Sequence, residues 1–242
     1  DLLTIIESGN AQDSPLELDL QSKKGDVLKV STLLYQFPIG DEIHAIVGPK
    51  MFGYNGLAGK STLYNERLAI LDGSNFTTSS GSGPGAGISI RKKNGFNAST
   101  KIASNSNEIE NESIHTINQV GLTRKNFGGT ITSNHNNKFN ASGIAFYYKL
   151  PQLSSISVAI EQKDGDEIQK TYNWIFALQK KVNNKKFGIA VGTHNDEEEI
   201  GFEGWSEIAI SDKIALIPVF FTRETNNSKS DLGLALNMQI SY

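Results

Sequence analysis

Positions 231–242 alternate without a fault: Leu232, Leu234, Leu236, Met238, Ile240 and Tyr242 are apolar, while Gly233, Ala235, Asn237, Gln239 and Ser241 are small or polar. A two-residue period belongs to a β-strand with one dry and one wet face. The pattern recurs upstream. Tyr172, Trp174, Phe176 and Leu178 share a face opposite Asn173, Ala177 and Gln179, and Ile144, Phe146 and Tyr148 share one opposite Gly143, Ala145, Tyr147 and Lys149. Turn signals punctuate these runs. Gly40-Asp41 divides 27–37 from 43–47, and Asn94-Gly95, the two-residue hairpin signal, divides 88–92 from 96–102. Asn183-Asn184 divides 172–182 from 187–191, and Asp212-Lys213 divides the strand at 208–210 from 214–221. Long connections intervene at 9–25, 49–84, 103–112, 193–203 and 223–230. Adding tight turns at 123–126 and 151–154 and outer connections at 134–138 and 163–168 predicts fourteen strands, with both chain ends on the tight-turn side. The runs 113–120 and 127–133 carry the weakest pattern. Pro218 interrupts 214–221, which alternates poorly, and predicts a bulge there.

Tight and elaborated connections alternate along the chain, as they do when one rim of a barrel carries turns and the other carries loops. The expectation is all-β: one antiparallel transmembrane β-barrel domain over 1–242, with about 14 strands visible, apolar outside and wet inside. Only 38% of the residues are hydrophobic, and 23 are glycine. The second face of most strands is Gly, Ala, Ser, Asn, Gln or Lys, which suits a lumen better than the interdigitated core of a sandwich. Tyr35, Phe37, Tyr148, Trp174 and Tyr242 are candidates for the interfacial aromatic girdles. Ordinary aromatics in a soluble core are the competing reading. No run approaches the roughly 18 apolar residues of a membrane helix, a criterion blind to barrels.

Chemistry-bearing patterns are few. The chain has no cysteine, which removes disulfides, thiolate metal sites and cysteine nucleophiles. With 23 basic and 26 acidic residues the net charge is -3, so nothing points to nucleic acid. Gly59-Lys60-Ser61-Thr62 resembles the tail of a phosphate-binding loop, but Tyr54 stands where the first glycine is needed. His44, His115, His135 and His194 have no ligand spacing. No cofactor, metal site or catalytic grouping is expected, and no enzyme activity. The run Asp196-Glu197-Glu198-Glu199 reads as a solvated outer loop or as a bridge through divalent ions to anionic surface lipids. The N-terminal residues lack the charged start and cleavage site of a signal peptide, so the chain is expected to be mature or trimmed.

The segment 49–84 is the longest connection, and it mixes Lys50, Tyr54, Lys60, Tyr64, Glu66, Arg67 and Asp72 with Gly and Ser. Loops of this length in compact domains are functional or disordered. Folded inward, it would constrict a pore and place those charges against low-dielectric walls; an external flap is the alternative, with the Gly/Ser-rich 77–87 as a mobile stretch. Strand parity assigns Arg91, Lys93, Lys101, Lys149 and Lys186 to the pore wall, against Glu161 and Glu207. The wall is therefore expected to be net positive, with a mild preference for anions.

Leu33-Leu34-Tyr35-Gln36-Phe37-Pro38-Ile39-Gly40-Asp41, Ile46-Val47-Gly48-Pro49, Gly85-Ala86-Gly87-Ile88-Ser89 and Lys93-Asn94-Gly95-Phe96-Asn97-Ala98-Ser99 resemble strands of the cyanobacterial outer-membrane porins of the carbohydrate-selective (OprB-like) superfamily. Their major members are the SomA-type, or iron uptake, porins. Phe187-Gly188-Ile189-Ala190-Val191-Gly192, Glu203-Gly204-Trp205 and 210–220 are similar to that family too, in the same order. The resemblance implies a homotrimeric passive channel surrounded by outer-membrane lipid and conducting small hydrophilic solutes and inorganic ions. Family members carry an anchoring surface-layer homology domain, a coiled coil and further strands ahead of the position matching Asp1. This implies either a trimmed sixteen-stranded barrel or a reduced form. The family name suggests sugars, yet no aromatic ladder is discernible, so general diffusion is the leading expectation. A solute-specific channel for sugar or iron and a plugged structural or receptor barrel remain as alternatives.

Overall fold

Each alternating run forms a strand, because period-two patterning is satisfied only when the two rows of side chains meet different surroundings. The strands, in a computed structural model of the chain, are β1 (Leu2–Glu7), β2 (Lys29–Pro38), β3 (Ile43–Met51), β4 (Gly83–Arg91), β5 (Phe96–Ser104), β6 (Ile114–Thr123), β7 (Phe127–His135), β8 (Asn140–Leu150), β9 (Ser154–Gly165), β10 (Ile168–Val182), β11 (Lys185–Thr193), β12 (Ile200–Ala209), β13 (Ile214–Thr225) and β14 (Lys229–Ile240). One short helical turn, α1 (Asn75–Thr78), lies between β3 and β4. The described residues are 2–7, 29–64, 75–78, 83–104, 113–151, 154–165, 168–182, 185–193, 200–211, 214–225 and 229–240. All fourteen strands belong to one sheet in chain order. Every neighbouring pair is antiparallel, including β6 with β7, the least patterned runs. The result is a meander with tight turns along one rim; of the connections expected at the other, 163–168 and 223–230 are largely absorbed into strands, since β9 runs to Gly165 and β10 starts at Ile168 while β13 runs to Thr225 and β14 starts at Lys229.

Burial is inverted relative to a soluble protein. Along β5 the residues Asn97, Ser99, Lys101 and Ala103 are buried, while Phe96 and Ile102 are exposed. β7 buries Thr130, Thr132 and Asn134 and exposes Ile131 at 63%. The same division runs through β8, β9 and β10, where Phe146, Val158, Ile160 and Phe176 face out. Water-soluble folds do the reverse, since each exposed branched or aromatic side chain forfeits about 1.5–3 kcal/mol of burial. Sequence parity assigns Ile144, Phe146, Tyr148, Tyr172, Trp174, Phe176 and Leu178 to the outer row; five are exposed, and Trp174 and Leu178 are half-buried.

Segment β13 differs from the others. It buries Ile217, Val219 and Phe221 on its inner row and exposes Phe220 on its outer row. Its poor alternation has a cause: the inner residues pack with Tyr64, Ile175, Trp205 and several alanines in a dry cluster. The inside is thus polar along β5 to β7 and apolar towards β13. Pro218 produces no bulge. The β13–β14 register is continuous through Pro218 opposite Leu236, and on the β12 side the pairs Trp205 with Val219 and Ile208 with Leu216 keep one register. Proline lacks an N–H, so the ladder to β12 lapses between those pairs without an inserted residue.

Two further expectations change. The Asn94-Gly95 hairpin is not a two-residue loop: Lys92 donates its N–H to the Phe96 carbonyl at 2.8 Å, so Lys93, Asn94 and Gly95 form the loop. Gly95 takes φ +89°, the left-handed residue that closes a three-residue hairpin. The Gly/Ser-rich stretch 77–87 is not one loop: it holds the end of α1 and the first half of β4, which pairs with β3 through Ala86 opposite Val47, while 79–82 lie outside the described residues.

Candidate pore lining

After Met51 the chain leaves β3 and turns back on itself. Asn55 holds the turn, its side-chain oxygen accepting from the Phe52 N–H at 2.6 Å while its own N–H donates to the Phe52 carbonyl at 3.0 Å. Gly56 follows at φ +77°. From there the segment 57–64 runs over the inner face of the sheet, and successive strands grip it. Arg91 of β4 donates to the carbonyls of Leu57 at 2.9 Å and Ala58 at 3.2 Å. Lys101 of β5, 2% exposed, donates to the carbonyls of Phe52 and Asn55. The N–H of Gly59 donates to the Gln119 side-chain oxygen of β6 at 2.7 Å. The N–H of Leu63 donates to Ser157 of β9 at 3.0 Å. Tyr64 reaches β12, where its hydroxyl donates to Glu203 at 2.6 Å and its ring lies 6.2 Å from that of Trp205. A loop leaving β3 touches β12 only if the sheet curls round it.

The chemistry of the inner row follows from this contact. An irregular segment offers backbone N–H and C=O groups that no ladder pairs, and buried groups of that kind must find partners. Arg91, Ser99, Lys101, Gln119 and Ser157 provide them. Gly59 is needed at the closest approach: a Cβ there would stand 2.5 Å from Thr130 Cγ2 and 2.6 Å from Asn97 Oδ1. α1 is held in the same way, with the Thr77 N–H donating to Glu161 at 3.2 Å and its hydroxyl to the same oxygen. Glu161 also accepts from Asn173 of β10, which accepts from Thr193 of β11.

Of the residues expected to narrow a pore, Tyr64 is buried between Glu203 and Trp205. Tyr54 is exposed and stacks on Phe52 with centroids 5.4 Å apart. Lys60 is exposed, and Lys50 is half-buried at the end of β3. Glu66, Arg67 and Asp72 lie outside the described residues. Of the wall residues, Arg91, Lys101 and Glu161 all bond the loop or α1. Lys186 and Glu207 face each other across β11 and β12 in a 2.7 Å ion pair. Lys149 shares the inner row of β8 but is exposed at the rim, and Lys93 stands exposed in the β4–β5 turn.

Parity counting missed Glu203, fully buried at 0% exposure. The segment 193–203 reads as a loop, whereas β12 begins at Ile200 and puts Glu203 on one row with Trp205 and Glu207. Gln119 and Ser157 escaped for another reason: nothing in their own strands marks them as loop partners. The histidines join no metal cluster among the described residues. His115 is buried beside Ser113 at 3.0 Å and Asn134 at 3.2 Å. The run Gly59 to Thr62 is irregular, and its Gly59 N–H goes to the Gln119 side chain, so it is not built as a phosphate loop. No described helix is long and apolar enough to cross a membrane, which says nothing of a barrel.

No family model and no curated protein matches the chain. Solved structures do. A tryptophan-substituted variant of the Rh. blastica porin aligns over 90% of this chain and 79% of its own, with TM-score 0.63 and 7% identity. A variant of the same porin with two acidic residues replaced by alanine aligns over 89% and 78%, with TM-score 0.63 and 7% identity. A chain described under asymmetric conductivity of engineered proteins aligns over 88% and 78%, with TM-score 0.60 and 7% identity. At such identity the likeness concerns the fold, which is that of an antiparallel porin β-barrel.

Proposed function

We propose that the chain is an outer-membrane channel through which small hydrophilic solutes and inorganic ions diffuse passively, with segment 49–84 narrowing the lumen. One observation carries the reading: Ile, Val, Phe and Tyr cover the outside of the sheet while Asn, Gln, Thr, Lys and Glu are buried inside it. Such a surface is stable in hydrocarbon and not in water. The grip of β4, β5, β6, β9 and β12 on the loop supports the narrowing. Arg91, Lys101 and Lys149 against Glu161 and Glu203, with Lys186 and Glu207 cancelling, leave a small positive excess on the wall and favour a weak anion preference. The motif resemblance to the cyanobacterial carbohydrate-selective porins extends the proposal to a homotrimer of that subtype.

Planar-bilayer recording tests it. Purified chain should give ohmic steps, a reversal potential displaced towards the anion in a salt gradient, and a cut-off for neutral sugars of graded size. Steps grouped in threes would mark the trimer. The dry cluster around Tyr64, Trp205, Ile217 and Phe221 favours a second reading, a plugged barrel with a structural or receptor role. Protein that inserts and never conducts would select it, and a chain that stays in solution without detergent would end both readings.

A further inference from the structure

The outer face carries one feature that diffusion through the lumen does not use. At the tight-turn rim, a groove of about 330 Å³ runs between β8–β9 and β10–β11, lined by Leu150, Leu178, Phe187 and Ile189 and by the stem of Lys180. We propose that it holds one anionic phospholipid, with an acyl chain in the groove and the phosphate between Lys180 and Lys185. The site rests on the membrane reading above.

Register places the two lysines. Lys180 pairs with Phe187 and Val182 with Lys185, so both lysines stand on the outward row at the rim end of the groove. Diagonal neighbours of this kind are about 7–8 Å apart at Cα. Both side chains are exposed and long enough to converge on one anion, which turns the repulsion between like charges into attraction. The groove itself is apolar, which excludes a soluble anion as the natural occupant. Depth also fits. Tyr35, Phe96, Phe127 and Tyr148 are exposed outward-facing aromatics at the same rim, the level where such rings meet headgroups.

Charge complementarity selects the lipid class. Other basic side chains of this rim do not line the groove: Lys92 and Lys93 follow β4, and Arg124 and Lys125 follow β6. Asp41 and Glu42, between β2 and β3, are the acidic exception among the described turns. The connections between β5 and β6 and between β11 and β12 are acidic in sequence, with Glu108, Glu110 and Glu112 in the first and the run 196–199 in the second. Each lysine near an anionic headgroup is worth about 1 kcal/mol. The leaflet that meets the tight turns is therefore the one from which an anionic lipid is drawn.

Native mass spectrometry of the detergent-extracted chain, with phosphatidylglycerol or phosphatidylcholine of identical acyl chains added, tests the site. The expected result is one phosphatidylglycerol retained in preference by about thirtyfold, equivalent to about 1 kcal/mol for each of two lysines. K180Q with K185Q should bring the two lipids near parity. F187A should loosen both, and K92Q with K93Q, in another turn, should leave the preference unchanged. Equal retention by the unsubstituted chain, an unaltered preference in K180Q/K185Q, or an equal loss in K92Q/K93Q overturns the proposal. So does a second copy of the chain in the groove, seen as a dimer that F187A dissolves. Conductance recorded on the same preparation separates the failures. A chain that conducts without the preference sinks the lipid site alone, and one that never enters a bilayer sinks the channel as well.

Discussion

Single residues here work through what they do to an irregular segment. The Tyr64 hydroxyl spends a charge-assisted hydrogen bond on a buried carboxylate, Glu203, at 2.6 Å. Such bonds contribute about 1.5–3 kcal/mol. Tyr64→Phe is expected to loosen the segment by that order, read as faster proteolytic cleavage within 57–64 and a larger, noisier open-channel current. An unchanged current would show that the segment does not limit conduction. Gly59→Ala tests the same contact sterically. Its Cβ meets the side chains of Thr130 and Asn97, both buried, and overpacking of this kind costs about 1–3 kcal/mol. The bond from Gly59 to Gln119 should break, with cleavage at the segment accelerating as in Tyr64→Phe. None of these partners was legible in the sequence. A tyrosine in a Gly-rich loop shows its reach only when the strand it reaches is known.

Strands are the scale at which the sequence was most informative, because a period of two is local and needs no knowledge of neighbours. All the runs from 27–37 to 231–242 became strands, including those with weak pattern. Errors concentrated where backbone geometry overrides pattern. Asn94-Gly95 closes three residues and not two because Lys92 bonds Phe96 across the turn, with left-handed Gly95 returning the chain to the ladder. Pro218 interrupted the ladder on one side only and forced no bulge. Element faces yield a sharp test at Ile131, the central residue of β7 and 63% exposed. Ile131→Lys would be nearly neutral on a watery surface, within about 0.5 kcal/mol. At the midplane of a bilayer it should cost about 2–4 kcal/mol. Urea titration of folding into phospholipid vesicles distinguishes the two, and a neutral result would remove lipid from this face.

For the whole molecule the open question of physics is the sheet's two edges. β14 exposes Leu234 at 83%, more than Ile131 in an interior strand, and among the described residues β1 and β14 do not pair. An unpaired edge in hydrocarbon leaves N–H and C=O groups unsatisfied at several kcal/mol each. In a bilayer β14 must therefore be covered, by β1 or by further chain. Backbone amides of 232–238 should exchange with solvent as slowly in vesicles as those of β9 and β10. Fast exchange at alternate residues would mean a bare edge and an unstable barrel.

By itself the sequence determined the number of strands, their order and, for the well-patterned β8, β10 and β14, which row faces out, since alternation and turn chemistry act over a few residues. It also determined that chemistry based on thiols was absent. Tertiary structure alone decided what the inner rows do. Curvature brings β12 to a loop that leaves β3, so Glu203 and Tyr64, separated by 139 positions, share a proton donor and acceptor. It also turns the inner row of β13 into part of a dry cluster with Tyr64 and Trp205, because a concave inner face gathers side chains from β8 to β13 with that loop residue.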